Sequence, residues 1–435
     1  MTANTRRMSS AGLCAAIAAM LLGAGRAAAP AAIELAVAGH ANAFPSVAAQ
    51  GPLVAVAWGA STNDATDIYT AVSHDRGTTF SRPVRVNDTA SRANLSGEQP
   101  PRIAIAPAAG RAPIIVVVWT AKAATGTRLL SARSEDGGGS FGAAAPVPGS
   151  DANGNRGWES IAVDSKGQVV AIWLDHREAS AGGASGGAMH HDGQAHTGHG
   201  DVDGATRAQK SKLYFATLGG QNAVAITSGV CYCCKTSVAV GRDASIYAVW
   251  RHVYPGNIRD VAFTSSRDGG RTFAEPIPVS HDQWALDGCP ENGPALAVDA
   301  QDRVHVVWPT LVKATDASGA PNLSLFYAAR IGDRFSPRQA IPTRGTPRHP
   351  ALTIGPSGSL LVAWDEQAAG TRRIALATAA AAGSAPTMFT RRSDVTSVRS
   401  EYPAVAATTD AFVAAWTSGV PERSTIHVER IATRQ

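Results

Sequence analysis

The sequence predicts an all-β protein folded as a seven-bladed β-propeller, and three observations lead to this prediction. A short turn motif recurs along the chain, tryptophans recur at the ends of similar apolar segments, and glycine and proline are plentiful, at 43 and 25 of 435 residues. Many short strands joined by turns need such a composition. Internal repetition of whole strand–turn units is typical of propellers and solenoids.

The turn motif has the frame Ser-x-Asp-x-Gly-x-Thr/Ser-Phe. It occurs at 73–80, 134–141 and 266–273, where its aspartates are Asp75, Asp136 and Asp268, and a degraded copy surrounds Asp333. The carboxylate can accept hydrogen bonds from N–H groups of its own turn, and the glycine can adopt a positive φ. These are the requirements of a tight hairpin, so the motif predicts a fold and not an activity.

This motif resembles the Asp box, or BNR repeat, of sialidase-like β-propellers. The resemblance implies that each Asp box joins the third and fourth strands of a blade. It also implies that ligands bind on the opposite face, around the central channel. Sialidases themselves are six-bladed, so a six-bladed propeller is the alternative to seven blades.

Seven tryptophans count the units, because each ends a predicted second strand: Trp58, Trp119, Trp173, Trp250, Trp308, Trp364 and Trp416. The predicted leading strands begin near Pro45, Pro101, Glu159, Thr236, Pro294, Pro350 and Pro403. The last unit lacks a fourth strand. We expect residues 33–37 to supply it and close the ring, which would leave few sheet edges exposed.

The first 29 residues have the organisation of a signal peptide. Arg6 and Arg7 precede an apolar run at 11–22, and the alanines at 27–29 offer a cleavage site. The run is too short to span a bilayer. We therefore expect an exported protein, periplasmic or extracellular, with one propeller domain at 30–435 and no transmembrane segment.

The charge balance does not indicate a nucleic-acid partner. Without the three arginines of residues 1–29, the basic residues fall from 39 to 36 against 34 acidic residues, a net charge of +2. A nucleic-acid-binding domain of this kind would carry a clear basic excess.

A glycine- and histidine-rich insertion at 180–210 has no periodicity and predicts an irregular loop. Imidazole is a good ligand for copper and zinc. The candidate metal ligands are the histidines of this insertion, one at its base and one after the fourth tryptophan: His190, His191, His196, His199, His176 and His252. A solvated low-complexity loop is the alternative.

The cysteines after residue 29 are Cys231, Cys233, Cys234 and Cys289. Export predicts disulfides, and one of the first three can reach Cys289 across neighbouring blades. Four cysteines allow three full pairings, and the sequence does not choose among them. Two remaining thiols could bind a soft metal or act in redox chemistry.

The sialidase resemblance implies a second chemistry. Sialidases are similar to one another in three arginines that grip a carboxylate and in a tyrosine nucleophile with a glutamate partner. The candidates here are Arg251, Arg348, Tyr402 and Glu401. The Arg-Ile-Pro motif of that family is missing, since its nearest equivalent is Arg102-Ile103-Ala104 in the second unit.

The sequence thus predicts a monomeric, exported propeller that uses its Cys- and His-bearing face. The expected ligand is a transition metal, copper or zinc, or a redox partner. The alternative function is a glycoside hydrolase of exo-sialidase type that acts on glycans. A propeller that serves only as a platform for protein interactions is a third reading.

Overall fold

A computed structural model describes residues 1–2, 33–63, 65–88, 92–180, 204–312, 321–380, 387–392, 396 and 398–433. Residues 3–29 of the predicted signal peptide and the four histidines of the insertion lie outside the described residues, so these remain predictions. Ala32–Gln435 form one compact unit. No helix in the described ranges is long and apolar enough to cross a membrane.

In the described part of the chain, the strands form seven antiparallel sheets, each running outwards from an inner strand. The first blade contains β2 (Ala41–Gln50), β3 (Leu53–Ser61), β4 (Thr66–Ser73) and β5 (Val84–Arg85). The second contains β6 (Arg102–Ala106), β7 (Ile114–Ala123), β8 (Gly126–Ser134) and β9 (Ala145–Pro146). The third contains β10 (Arg156–Val163), β11 (Val169–Asp175), β12 (Lys212–Thr217) and β13 (Ala223–Ser228).

The remaining blades repeat this order. The fourth contains β14 (Ser237–Val240), β15 (Ile246–Arg251), β16 (Val261–Ser266) and β17 (Ile277–Pro278). The fifth contains β18 (Ala295–Val298), β19 (Val304–Val312), β20 (Asn322–Ile331), β21 (Arg334–Phe335) and β22 (Gln339–Ala340). The sixth contains β23 (Thr346–Ile354), β24 (Leu360–Ala368), β25 (Thr371–Ala379) and β26 (Thr390–Arg391). The seventh contains β27 (Ser400–Ala407), β28 (Ala411–Ser418), β29 (Thr425–Ala432) and β1 (Ile33–Leu35).

Among the described residues, two short α-helices lie between β11 and β12: α1 (Arg177–Ser180), before the insertion, and α2 (Gly204–Gln209), within its C-terminal part. Of the predicted loop at 180–210, residue 180 ends α1 and residues 204–209 form α2, while residues 181–203 lie outside the described residues. Ala208 of α2 is fully buried and packs against Cys231. Burial of this apolar side chain explains why the segment is ordered helix and not loop. A 3₁₀ turn, Pro421–Arg423, lies between β28 and β29.

The ring closes as the sequence predicts. In the seventh blade β1 pairs with β29, in the register Ile33 to Val428 and Leu35 to Ile426. The first segment of the propeller thus supplies the outer strand of its last blade. This closure satisfies the backbone groups of β29, which would otherwise form an open edge.

The tryptophan count is also confirmed. All seven second-strand tryptophans are at most 1% exposed, and each lies in a different blade. Each fills the space between its own sheet and a neighbouring one, where a large apolar surface stabilises the stacking. The prediction of seven blades is correct, and the six-bladed alternative is wrong.

The Asp boxes are hairpin turns held by their aspartates. Asp75 Oδ1 accepts hydrogen bonds from Ser73 Oγ at 2.7 Å and from the N–H of Thr79 at 2.8 Å, while Oδ2 accepts from Thr79 Oγ1 at 2.6 Å. Asp136 and Asp268 make the same bonds. The side-chain hydrogen bonds of the threonine and serine hold the pKa of Asp75 well below its usual range.

The Asp boxes and the cysteines lie at opposite ends of the blades. Each Asp box joins a third strand to a fourth, as at β16 and β17, whereas residues 229–236 join β13 of one blade to β14 of the next. Antiparallel strands place these two classes of connection at opposite ends. The face that bears the cysteines is called the upper face below.

Candidate functional site

Four blades begin at the upper face with the same backbone irregularity. The inner strands β2, β10, β23 and β27 each contain a bulge. The bulged residues with positive φ are all aromatic or imidazole side chains: Phe44 at 60°, Trp158 at 55°, His349 at 49° and Tyr402 at 58°. Bulky residues rarely adopt this region, and such strain is concentrated at functional sites.

His349 is held by a carboxylate on the next strand. Its Nδ1 lies 2.7 Å from Asp365 Oδ1, and Asp365 is fully buried. Burial would raise the pKa of Asp365, but the charge and hydrogen bond of His349 and the charge of Arg372 outweigh burial and lower it. An ionised Asp365 accepts the proton on Nδ1, which leaves Nε2 as the second functional nitrogen of His349.

Tyr402 lies beside His349. The two ring centroids are 4.7 Å apart, and the ring of Phe44 is 5.2 Å from that of Tyr402. Gly97 lies beneath the tyrosine, because a Cβ at this position would be 1.9 Å from Tyr402 Cε1. Burial, followed by the negative charges of Glu401 and Asp365, raises the pKa of the Tyr402 phenol, so it remains protonated at neutral pH.

Arg372 links this pair to Glu401. Its Nε lies 3.3 Å from Asp365 Oδ2 and its Nη1 lies 2.9 Å from Glu401 Oε2. Glu401 also pairs with Arg399 at 3.2 Å. The sequence resemblance named Tyr402 and Glu401 as partners. In the structure, the carboxylate of Glu401 forms ion pairs with Arg372 and Arg399. We call Phe44, His349, Asp365, Arg372 and Tyr402 the channel-mouth cluster.

A cavity of about 190 Å³ opens beside this cluster at the centre of the ring. His349, Tyr402, Lys235 and Arg102 are among its lining residues, and the lining comes from all seven blades. Lys235 Nζ donates to the carbonyl of Pro350 at 2.7 Å and lies 3.9 Å from Glu98 Oε1. Two cations therefore line a small cavity next to an imidazole and a phenol.

The cysteines form a compact group between the third, fourth and fifth blades. Cys233 and Cys289 form a disulfide with a Cα–Cα distance of 6.2 Å, whereas Cys231 and Cys234 are free and buried. The expected disulfide across neighbouring blades is thus present. The Sγ atom of Cys231 lies 3.8 Å from that of Cys233 and 3.7 Å from that of Cys234.

Two donors point at the free thiols. Arg259 Nη1 lies 3.2 Å from Cys231 Sγ, and the N–H of Asn292 lies 3.4 Å from Cys234 Sγ. The hydrogen bond from Cys234 and then the charges of Arg259 and Arg251 lower the pKa of Cys231 to about 6, against the opposing effect of burial. Burial and the adjacent Cys231 raise the pKa of Cys234.

His176 and His252 do not join this group. Among the described residues, the set of three or more metal-ligating side chains with ligand atoms within 4.8 Å consists of Cys231, Cys233 and Cys234. His176 Nδ1 lies 2.9 Å from Ser211 Oγ, and the His252 ring packs 4.5 Å from that of Tyr254. Burial lowers the pKa of each histidine to about 4.

The two arginine candidates occupy different positions. Arg251 is 1% exposed, and its guanidinium donates to the carbonyl oxygens of Asn292, Arg259 and Pro309. These bonds make Arg251 a brace between blades, so its guanidinium does not face a substrate. Arg348 is half-buried in β23, where its backbone lies opposite that of Asp365 in β24.

Sequence reasoning did not select His349, Asp365 and Arg372 as one group. His349 and Asp365 lie 16 positions apart in the sequence and are not among its candidate site residues. The available signal was the pair formed by an aromatic or imidazole residue and a following proline, which opens several units, as in Phe44-Pro45, His349-Pro350 and Tyr402-Pro403. These pairs are the bulges.

No protein-family model matches the chain, and no curated protein matches it. Among solved structures, an ulvan lyase of a polysaccharide lyase family aligns with a TM-score of 0.53 and 10% identity, covering 92% of this chain and 96% of the lyase. An α-L-arabinofuranosidase of Fusarium graminearum aligns with a TM-score of 0.50 and 11% identity, covering 92% and 97%. A Hadza microbial sialidase aligns with a TM-score of 0.45 and 12% identity, covering 85% of this chain and 74% of the sialidase. The first two likenesses show a shared propeller fold.

Proposed function

We propose that the chain is a glycan-acting enzyme whose site is the channel-mouth cluster. The observation that carries the proposal is His349, which is held by the ionised Asp365, lies against Tyr402 and lines the central cavity. A positioned imidazole next to a carboxylate is the usual arrangement of a general base or acid. The two structural neighbours with the higher TM-scores also act on glycans by name.

Each member of the cluster has a role in this proposal. His349 Nε2 moves the proton, because Nδ1 is occupied by Asp365. Tyr402 donates a proton from its phenol to the leaving oxygen, since its raised pKa keeps it protonated. Phe44 offers an aromatic edge against which a sugar ring can pack. Arg372 orients Asp365.

The lining of the cavity favours a glycan that carries carboxylates. Arg102 and Lys235 both line it, and arginine and lysine are the side chains that recognise carboxylates. The ulvan lyase neighbour is bound to a GlcA-containing glycan in its structure. A uronate- or sialate-containing glycan therefore fits the charge of this site better than a neutral arabinan.

A sialidase-type nucleophile is less consistent with the geometry. Such a tyrosine needs a basic partner to remove its proton. Glu401 is instead paired with Arg372 and Arg399, and the pKa of Tyr402 is raised. We therefore assign Tyr402 as a proton donor and His349 as the base.

The test is turnover of a glycan panel by the purified protein. The panel contains sialosides, arabinans and uronate polysaccharides; new reducing ends report any cleavage, and the ultraviolet absorbance of unsaturated uronate reports elimination. We expect cleavage of a uronate or sialate glycan. His349→Gln and Tyr402→Phe should each lower kcat by roughly 10²–10⁴-fold.

The matched control is His305→Gln. His305 also touches an aspartate and a tyrosine, Asp299 at 3.2 Å and Tyr327 at 2.8 Å, but it follows a loop of the opposite face. This variant should retain activity once its folding has been verified by circular dichroism. Absence of cleavage for every glycan, or full activity of folded His349→Gln, would overturn the proposal.

A further inference from the structure

The sulfur atoms of Cys231, Cys233 and Cys234 form a nearly equilateral triangle. Its edges are 3.8 Å, 3.7 Å and 4.0 Å. The point equidistant from all three sulfurs is about 2.2 Å from each, close to a metal–thiolate bond of about 2.3 Å. A metal at the centre of this triangle would need almost no movement of the sulfurs.

The surroundings of the triangle suit thiolate ligands. All three cysteines are at most 2% exposed, and Ala208, Tyr232 and Val253 pack around them. Arg259 places a positive charge 3.2 Å from Cys231 Sγ, and the Asn292 N–H points at Cys234 Sγ. Hydrogen bonds of this kind to ligating sulfurs orient them and offset their negative charge.

The number of ligands distinguishes between metals. The group contains three cysteine sulfurs, and Cys289, the disulfide partner of Cys233, is not part of it. Within the described residues no histidine, further cysteine or carboxylate has a ligand atom within 4.8 Å of all three. Structural zinc takes four ligands in a tetrahedron. Copper(I) is a soft ion that thiolates select, and a flat triangle of three sulfurs satisfies it.

We propose that Cys231, Cys233 and Cys234 form a three-thiolate site for Cu(I) that opens when the Cys233–Cys289 disulfide is reduced. The reductant is a dithiol. It becomes a disulfide as the Cys233–Cys289 S–S bond breaks, and its two protons and two electrons convert these cysteines to thiols. On binding Cu(I), the three ligating thiols lose their protons to solvent.

The proposal is tested with Cu(I) as the probe, under anaerobic conditions, in competition with a chromogenic Cu(I) chelator. Protein reduced by dithiothreitol and then desalted should bind one Cu(I). Its X-ray absorption spectrum should show three sulfur neighbours. The oxidised protein lacks one of the three sulfur ligands and should bind Cu(I) at least about tenfold more weakly, because even the loss of an outer-shell partner of a ligand costs this much in metal affinity.

The decisive variant is Cys289→Ser. It removes the disulfide partner of Cys233, so the variant should bind Cu(I) in the three-sulfur form without any reductant. Cys231→Ser and Cys234→Ser should lose the three-sulfur spectrum even after reduction. His252→Gln, which lies outside the triangle, should bind like the natural sequence and serves as the control for folding.

Three outcomes would overturn the proposal. The first is equal Cu(I) affinity of the oxidised and reduced proteins. The second is binding that survives Cys231→Ser and Cys234→Ser but disappears when His190, His191, His196 and His199 are replaced. The third is a preference for Zn(II) over Cu(I) in the reduced protein.

Discussion

The N–H of His349 donates to Oδ1 of Asn292 at 3.0 Å, across the boundary between the fifth and sixth blades. The N–H of Asn292 in turn points at Cys234 Sγ at 3.4 Å. One asparagine therefore contacts both the channel-mouth cluster and the cysteine triangle. The proposed catalytic histidine and the proposed metal site share a structural support.

Replacing Asn292 by alanine should destabilise the protein. The variant leaves the buried N–H of His349 without an acceptor, which costs about 1–3 kcal/mol. Urea denaturation at neutral pH measures the change. The exposed Asn322→Ala in β20 is the matched control and should stay within about 0.5 kcal/mol of the natural sequence. Equal stability of both variants would show that the Asn292 bond is dispensable.

Stability should fall below neutral pH because folding lowers the pKa of the partly buried His252. Burial lowers the pKa of His252 from its ordinary 6.5 to about 4. Between these values the unfolded chain binds a proton that the folded chain does not, so stability is lost as the pH falls from 6.5 towards 4. At pH 5 the loss for this residue is about 1–2 kcal/mol.

His252→Gln checks this assignment. The variant should show a smaller difference in unfolding free energy between pH 7 and pH 5 than the natural sequence does. His281→Gln, at an exposed position, should leave that difference unchanged. An identical pH dependence of all three proteins would assign the acid sensitivity to other groups.

The Asp boxes should contribute to stability without affecting function. Asp136→Ala removes the acceptor of the Ser134 and Ser140 hydroxyls and of two backbone N–H groups. After screening by solvent, we expect a loss of about 1 kcal/mol in unfolding free energy. Thermal denaturation measures it. Asp333→Ala, in the degraded copy where the side chain is 91% exposed, should change nothing, and cleavage and Cu(I) binding should be retained by both.

The closing strand β1 should contribute more to the free energy of unfolding than its length of three residues suggests. Leu35 is 6% exposed and packs in the apolar cluster between the seventh and first blades with Val54 and Val428. Leu35→Ala should lower the free energy of unfolding by about 2–4 kcal/mol. Glu34→Ala, on the exposed side of the same strand, should have little effect. If the two variants were equally stable, β1 would not be needed to hold the ring.

The fold could be predicted from the sequence because its signals are local. Each Asp box lies within eight consecutive residues, and each tryptophan lies inside its own strand. The strand that completes the last blade was also predictable, since the segment with Ile33 and Leu35 had strand character and belonged to no other unit of the repeat. The fifth blade shows where the Asp-box signal fails. The degraded copy around Asp333 is a plain two-residue hairpin, Gly332-Asp333, between β20 and β21.

The candidate site was less predictable because its contacts join distant parts of the chain. The approach of His349 to Tyr402 depends on bulges in β23 and β27, whose positive φ angles no periodicity indicates. Cys289 could be assigned to a neighbouring blade, but the choice of Cys233 over Cys231 and Cys234 is set by distances of a few ångströms. Arg251 looked like a substrate-binding arginine because the sequence does not show the carbonyl oxygens that surround it.

The pairing of β1 with β29 separates the order of synthesis from the order of assembly. Six blades consist of neighbouring segments and can fold in turn while the chain leaves the ribosome. The seventh joins the first strand of the propeller to its last, across almost 400 residues, and such a distant contact is slow to form. A nascent propeller therefore exposes unpaired sheet edges until β29 has been synthesised and has paired with β1, and exposed edges of this kind are where chains pair with one another and aggregate.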